Sequence, residues 1–243
     1  MSLSRSAAGP AAIVVALPWE AGPLAKHLGL RRTGVHGGVA MYRGGGDRLL
    51  LQAGMGPQAA RAFASLQKPS LILSAGFCGG VGSEVRIGEV VVGSQVIRNT
   101  DSFPPDPLLL DTATRALKTV GLPFHVGTIL TVDEVVTERV QGRGDFQILA
   151  VDMESAYLAE RARAQGLPFL TLRVVSDTPA ERWAVEARHF VDRDGRLKPV
   201  TLATSLLRRP SLIPRMFHLA SALRTATRRL AQGIDALLKE FGE

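Results

Sequence analysis

Carboxylates stand at three places where a predicted strand passes into a helix or a turn. Asp152 and Glu154 follow the apolar run from Ile148 to Val151, and Asp177 ends the next apolar run along the chain. Glu20 lies in the first turn of the helix predicted after the first apolar run. Ligands of open α/β sheets bind at the carboxyl ends of strands. We therefore expect these carboxylates to share one edge of a sheet, where they can bind hydroxyl groups or act as general acids and bases.

Each carboxylate alone also has a structural explanation. A glutamate in a first helical turn is favoured by the helix dipole, and an aspartate after a strand often caps a helix or forms a turn. The helix that we predict here opens with Asp152, Met153 and Glu154, beside backbone N–H groups that have no helical partner. Carboxylates at three comparable strand ends favour one shared site over separate caps.

Two glycine-rich segments follow predicted strands. They read AGMGP from Ala53 and SAGFCGG from Ser74. Glycines at a strand end let a ligand reach backbone N–H groups. Neither segment has the spacing of a dinucleotide fingerprint or the Gly-Lys-Ser/Thr of a phosphate-binding P-loop. Cys78, the single cysteine, is of a type more often found as a small buried side chain than as a nucleophile.

Strand-like and helix-like runs alternate along the chain. This alternation predicts an α/β fold with a largely parallel sheet and helices on both faces. The predicted strands are Ala11–Leu17, Arg48–Ala53, Ser70–Ala75, Glu89–Ile97, Val126–Val132, Gln147–Val151 and Phe169–Val175. The predicted helices are Pro18–Leu28, Pro57–Gln67, Pro107–Val120 and Met153–Gln165.

Length and composition favour a single domain. The chain has 243 residues, of which 46% are hydrophobic, enough for one large core. We predict a flexible tail over residues 1–10, one domain over 11–243, a lid over about 178–199 and a basic helix over about 211–241. One cysteine excludes a disulfide framework, so we expect a cytoplasmic protein without a metal. The net charge is +7, but only 5% of residues are aromatic, which argues against nucleic acid as a partner.

The order of these pieces resembles the nucleoside phosphorylase superfamily, in particular its methylthioadenosine/S-adenosylhomocysteine nucleosidase branch. The resemblance covers Ala11 to Asp177 and rests on AxxxE ending at Glu20, on SAGFCGG, on VDMES and on RVVSD. It implies a three-layer sandwich, with a mixed, twisted sheet that curls toward a barrel between layers of helices. It also implies cleavage of the bond between a ribose and a purine base, no cofactor, and a homodimer.

The resemblance also implies a role for each site residue. Glu154 would bind the ribose hydroxyls, with Met153 packed on the sugar; Asp177 would protonate N7 of the purine; Glu20 would activate the attacking water. Breaking the glycosidic bond places positive charge on the sugar and negative charge on the base, which suits carboxylates on one side and a proton donor on the other. The remaining expected substrate contacts are Asp152, Gly76, Phe77, Cys78, Gly79, Val135, Val136 and Ser176.

The sequence departs from the phosphorylases of this superfamily. Those enzymes have a GDP-type loop after the first strand and an arginine and a serine around the second glycine segment. Here these places read Leu17-Pro18, Ser74 and Phe77, so we expect water as the nucleophile. Two alternatives stay open: phosphorolysis, with phosphate as co-substrate, and a nucleoside-binding protein without turnover.

The C-terminal segment LLRRPSLIPRMFHLASALRTATRRL resembles the tail of hopanoid-associated phosphorylases. That resemblance implies removal of adenine from adenosylhopane, a lipid-linked nucleoside. The segment carries apolar residues at helical spacing and several arginines, among them Arg215, Arg224, Arg228 and Arg229. It is either a terminal helix packed on the sheet with a solvated basic face, or a helix that docks on anionic lipid at the inner membrane.

Overall fold

A computed structural model gives the architecture. The structure describes residues 9–45, 48–66, 69–81, 83–134, 146–178, 198, 201, 204–205 and 212–242, without the side chains of residues 65, 212–219 and 242. The predicted lid over 178–199 and the predicted tail over 1–10 therefore lie almost entirely outside the described residues.

Within these residues, ten strands form one sheet. In chain order they are β1 (Ala11–Val15), β2 (Arg31–His36), β3 (Val39–Arg43), β4 (Arg48–Gln52), β5 (Leu71–Gly80), β6 (Val90–Arg98), β7 (Asp101–Phe103), β8 (Phe124–Thr131), β9 (Ile148–Asp152) and β10 (Phe169–Asp177).

The sheet is mixed and partly closed on itself. The order is β10-β6-β8-β9-β5-β1-β4-β3-β2, and β10 also pairs with β5. Strands β5, β10, β6, β8 and β9 therefore form a closed circuit, which is the barrel-like curvature expected from the resemblance. The β1–β4, β1–β5, β10–β5, β6–β8 and β8–β9 pairs are parallel. The antiparallel share is larger than the sequence suggested, because β2, β3 and β7 add antiparallel pairs and the β10–β6 and β5–β9 pairs are antiparallel as well.

Helices cover both faces of the sheet, as predicted. They are α1 (Pro18–His27), a 3-10 helix (Gly56–Ser65), α2 (Pro107–Thr119), α3 (Ser155–Ala164) and α4 (Leu212–Gly242). Strand β1 shows the division, since Ile13 and Val15 pack with α1, α2 and α4 while Ala12 and Val14 pack with the 3-10 helix and α3. Alternate strand residues point to opposite faces, so a continuously apolar strand fits a sheet between two helical layers.

Three local predictions need correction. The residues from Gly76 to Gly80 extend strand β5 instead of forming a loop, because they pair with β10 and β9. The helix predicted from Met153 begins at Ser155, since Asp152 ends β9 and Glu154 is the N-cap. The helix predicted from Pro57 is a 3-10 helix.

Helix α4 is packed on the sheet along its second half. Leu230, Ile234 and Leu237 are buried in the large core cluster with α1 and α2, and Arg229 donates to the backbone oxygen of Gly88 at 2.8 Å. This part of the predicted apolar stripe therefore packs against the protein, as expected for a terminal helix that lies on the sheet and not for a helix that docks on lipid.

Candidate active site

A buried arginine, Arg173 of β10, organises the candidate site. Its side chain is 1% exposed and forms ion pairs with Asp152, at 2.9 Å from Nη2 to Oδ2, and with Glu154, at 3.4 Å from Nη1 to Oε2. A buried charge is tolerated only when it is paired and hydrogen-bonded. Burial alone lowers the pKa of Arg173, but Asp152, Glu154 and Glu20 outweigh it and raise the pKa, so the guanidinium stays charged.

Hydroxyl groups complete the surroundings of Arg173. Its Nη2 donates to Ser74 Oγ and to Ser155 Oγ, each at 3.0 Å. The Asp152 carboxylate accepts from Thr131 Oγ1 at 2.7 Å and from the Ser155 hydroxyl. The side chain of Asp152 is fully buried, with both oxygens bonded to protein groups. We interpret Asp152 as the residue that orients Arg173, and not as the substrate contact that we expected.

Glu154 lies at the junction of β9 and α3. Its Oε1 accepts the backbone N–H of Gly56 at 3.2 Å, so the start of the 3-10 helix and the start of α3 meet at this carboxylate. Burial raises the pKa of Glu154 to about 7, with Asp152 and Glu20 adding to the rise and Arg173 and the Gly56 N–H opposing it. The group therefore titrates near neutral pH.

Glu20 is held by three backbone N–H groups. Its Oε2 accepts from Ala16 at 3.1 Å and from Leu17 at 2.8 Å, and its Oε1 accepts from Phe77 at 2.8 Å. The residue is 2% exposed. Burial raises its pKa, although the Phe77 N–H and Arg173 work in the opposite direction. A carboxylate with a raised pKa and a fixed position is suited to act as a general base.

Gly76 allows Glu20 and Arg173 to approach each other. A Cβ at this position would lie 2.6 Å from Glu20 Oε1 and 2.7 Å from Arg173 Nη1, and φ is +145°. Both distances are shorter than the contacts that Cβ atoms make in real proteins. The glycine is therefore required where the carboxylate and the guanidinium meet across β5.

Asp177 lies on the same strand as Arg173, past an irregularity in the sheet. The β10–β5 register shifts between Val175 and Asp177. Ser176 Oγ contacts Asp177 Oδ1 at 2.7 Å and the backbone oxygen of Cys78 at 3.2 Å. The shifted register pairs Asp177 with Gly79, which has no side chain to separate the carboxylate from the strand. The bulge thus carries Asp177 to the carboxyl end of β10.

Comparison with known proteins identifies the family. A family model described as the phosphorylase superfamily matches residues 10–208. The chain belongs to the phosphorylase superfamily. A 5′-methylthioadenosine/S-adenosylhomocysteine nucleosidase of Chromohalobacter salexigens is 27% identical, over 75% of this chain and 90% of the relative. The corresponding nucleosidase of Haemophilus influenzae strain PittEE is 28% identical, over 60% of this chain and 75% of the relative.

Solved structures of this superfamily share the fold. The Neisseria meningitidis nucleosidase in complex with methylthio-immucillin-A has a TM-score of 0.68 at 19% identity, over 96% of this chain and 99% of that one. The futalosine hydrolase of Helicobacter pylori has a TM-score of 0.69 at 15% identity, over 96% and 98%. The α/β fold with a central sheet between helices is thereby confirmed.

Arg173 forms an ion pair with Glu154 and lies close enough to Glu20 to act against the rise in its pKa. The catalytic and binding roles expected for the two glutamates stay predictions. Of the other predicted contacts, one is buried in the hydrophobic core and two lie outside the described residues. The thiol of Cys78 is buried in a hydrophobic cluster with Val85 and Ile129, so its side chain fits the role of core filler better than substrate contact. Val135 and Val136 lie outside the described residues.

Sequence reasoning missed Arg173, although the signal was present. An arginine within the continuous apolar run FLTLRVVSD must find buried counterions, because an unpaired charge is not tolerated in a core. Its partner hydroxyls, Ser74 and Ser155, carried no comparable signal. Within the described part of this superfamily member, no three His, Cys, Asp or Glu residues are grouped to hold a metal ion, and no helix is long and apolar enough to cross a bilayer.

Proposed function

We propose that the protein hydrolyses the N-glycosidic bond of an adenosine that carries a 5′ substituent. The relatives support this reaction class, since the similar proteins of Chromohalobacter salexigens and Haemophilus influenzae are 5′-methylthioadenosine/S-adenosylhomocysteine nucleosidases. Because futalosine hydrolase has a similar structure, the comparisons do not determine the identity of the 5′ substituent.

The observation that carries the proposal is the position of Glu20. Three backbone N–H groups fix its carboxylate within the field of Arg173. A fixed carboxylate with a raised pKa can accept a proton from a water molecule and hold the water oxygen in position to attack the anomeric carbon. The capping box of α1 explains the bond from the Leu17 N–H to Glu20, but the bond from the Phe77 N–H of β5 lies outside that capping role.

The other carboxyl groups divide the remaining work. Glu154 would accept hydrogen bonds from the ribose hydroxyls, which strengthen as positive charge develops on the sugar. Met153, half-buried beside it, would pack on the ribose. Asp177 would donate a proton to N7 of the leaving base from the carboxyl end of β10. Leaving base and attacking water would lie on opposite faces of the sugar, as in inverting glycoside cleavage.

The charges of the site favour water over phosphate. Arg173 of β10 contacts Ser74 of the second glycine segment, so an arginine and a serine do lie together at this place. However, Asp152 already offsets the charge of this arginine, and Glu154 and Glu20 add negative charge when they are ionised. A phosphate anion would meet uncompensated carboxylates, whereas a neutral water molecule would not. We therefore propose that no cofactor or co-substrate other than water is used.

Base release measured with and without phosphate tests this assignment. Methylthioadenosine, S-adenosylhomocysteine and an adenosyl-lipid are incubated with the protein, and free adenine is quantified. We expect release without phosphate. Release that requires phosphate would establish phosphorolysis. Phosphate-dependent release from the adenosyl-lipid would establish the hopanoid-associated reaction. No release from any of the three nucleosides would favour a nucleoside-binding protein without turnover.

We also propose a homodimer, on the resemblance and on the frequency of twofold assemblies. Light scattering at micromolar concentration tests it, and a monomeric mass would contradict it. Contact with an anionic inner-membrane surface stays a separate prediction. Leu230, Ile234 and Leu237 of α4 cannot make that contact, because they are buried against the sheet.

A further inference from the structure

A second cleft lies between α1 and α4, next to Glu20. It has a volume of about 290 Å³, roughly ten times the ~30 Å³ that a water molecule occupies in the liquid. It therefore has room for a chain of several non-hydrogen atoms. Its walls include Trp19 and Pro23 of α1, Phe77 of β5, and Leu223, Arg224 and Arg228 of α4.

The cleft and the candidate active site share a wall. The backbone N–H of Phe77 holds Glu20 Oε1 at 2.8 Å, while the side chain of the same residue lines the cleft. Trp19, which also lines the cleft, directly precedes Glu20 in α1. Phe77 therefore contributes to both spaces, and a substituent on a nucleoside at the site would enter the cleft by extending past this residue.

The charges of the cleft are unbalanced. Arg224 and Arg228 are exposed, stand one helical turn apart and therefore share one face of α4. In the described part of the chain neither forms an ion pair, and no acidic side chain lines the cleft. The adjacent Arg229 differs, because it is bonded to the backbone oxygen of Gly88. Two unpaired guanidinium groups side by side suit a carboxylate, which accepts paired charge-assisted hydrogen bonds.

We propose that this cleft binds the 5′ arm of the substrate, and that the preferred arm is an apolar chain ending in a carboxylate. The inference rests on the proposed function, since it places the arm relative to Glu20. Trp19, Pro23 and Leu223 pack against the chain, and Arg224 and Arg228 bind its end. These five residues act on substrate choice and take no part in bond cleavage.

Two 5′-thioadenosine analogues of equal arm length test the proposal, one ending in a carboxylate and the other in its methyl ester. Their Kd values are measured by calorimetry in the Glu20→Gln background, which prevents turnover. We expect the carboxylate to bind about 10- to 100-fold more tightly, the scale of one or two hydrogen bonds to a charged group. Arg224→Gln/Arg228→Gln should abolish this preference and leave the Kd of the ester unchanged.

A charge-matched control separates local recognition from general attraction. Arg31→Gln/Arg32→Gln removes the same charge from the exposed strand β2 and should preserve the preference. Equal Kd values for the two analogues, or a preference that survives loss of Arg224 and Arg228, would overturn the proposal. So would sedimentation with phosphatidylglycerol vesicles that depends on these arginines without any carboxylate preference, because a lipid surface would then be their ligand.

Turnover of methylthioadenosine by the unmodified protein is measured in parallel. Methylthioadenosine has no charged arm, so its turnover reports on the proposed reaction alone. A protein that cleaves it but shows no carboxylate preference refutes the subsite and keeps the function. A protein that binds the carboxylate analogue selectively but cleaves nothing keeps the subsite and refutes the function.

Discussion

Replacing Glu154 by glutamine should change how the stability of the protein depends on pH. Burial raises the pKa of Glu154 from 4.5 to about 7. The unfolded chain then loses this proton at lower pH than the folded protein does. The stability associated with the protonated group is fully present below pH 4.5 and is lost as the pH rises to about 7. One pKa unit corresponds to about 1.4 kcal/mol, so the loss amounts to roughly 3 kcal/mol.

Urea unfolding at pH 5 and pH 8 measures this loss. Between these values the wild-type free energy of unfolding should fall by roughly 2–3 kcal/mol more than that of Glu154→Gln, whose side chain does not titrate. In calorimetry the same difference corresponds to a shift of about 2–4 °C in Tm for each kcal/mol. Glu160→Gln is the matched control, since Glu160 lies on the same helix with a side chain that is 52% exposed.

Parallel pH profiles for wild type and Glu154→Gln would refute the reasoning. They would mean that Glu154 titrates alike in the folded and unfolded chains, and that Arg173 and the Gly56 N–H fully offset its burial. A steeper decline in Glu160→Gln than in wild type would instead show that exposed charges dominate the profile.

Three further substitutions have distinct expected outcomes. Asp177→Asn should keep the Tm but lower turnover about 10²- to 10⁴-fold, because the amide cannot protonate the base; near-normal turnover would remove Asp177 from the mechanism. Arg173→Met should lower the free energy of unfolding by about 3–5 kcal/mol, since it leaves buried carboxylates without their cation; a change below 1 kcal/mol in urea unfolding would contradict the ion-pair assignment. Gly76→Ala should reduce both Tm and turnover, because its Cβ would lie 2.6 Å from Glu20 Oε1. Gly22→Ala, with nothing within 4 Å of its Cβ, is the control that should tolerate the methyl group.

The buried strands were predictable because each one is apolar on both faces. The β2–β3 hairpin was not, since every residue of β2 is exposed and gives no apolar periodicity. Strand β7 has only three residues, too few for a pattern. The glycines from Gly76 to Gly80 suggested a loop, but their backbone groups pair with two neighbouring strands, which depends on long-range contacts.

The candidate site was predictable where a carboxylate ends a strand. The sequence predicted the positions of Glu20 and Glu154 after strand ends, although Glu154 is an N-cap and not a first-turn residue. The centre of the site was not found, because Arg173 is placed by partners distant in the sequence. Local patterns report strand ends, whereas charge compensation depends on tertiary contacts.

Helix α4 has a consequence for where this protein can be cut. The family match ends at residue 208, yet Ala226, Leu230, Ile234 and Leu237 belong to the largest core cluster. Asp235 also forms an ion pair with Arg48 of the central sheet at 2.9 Å. A fragment trimmed to the shared family segment would expose this apolar surface to water and aggregate. Truncation variants and fusion proteins should therefore place their junctions beyond α4, because the cooperative folding unit extends past the sequence that defines the superfamily.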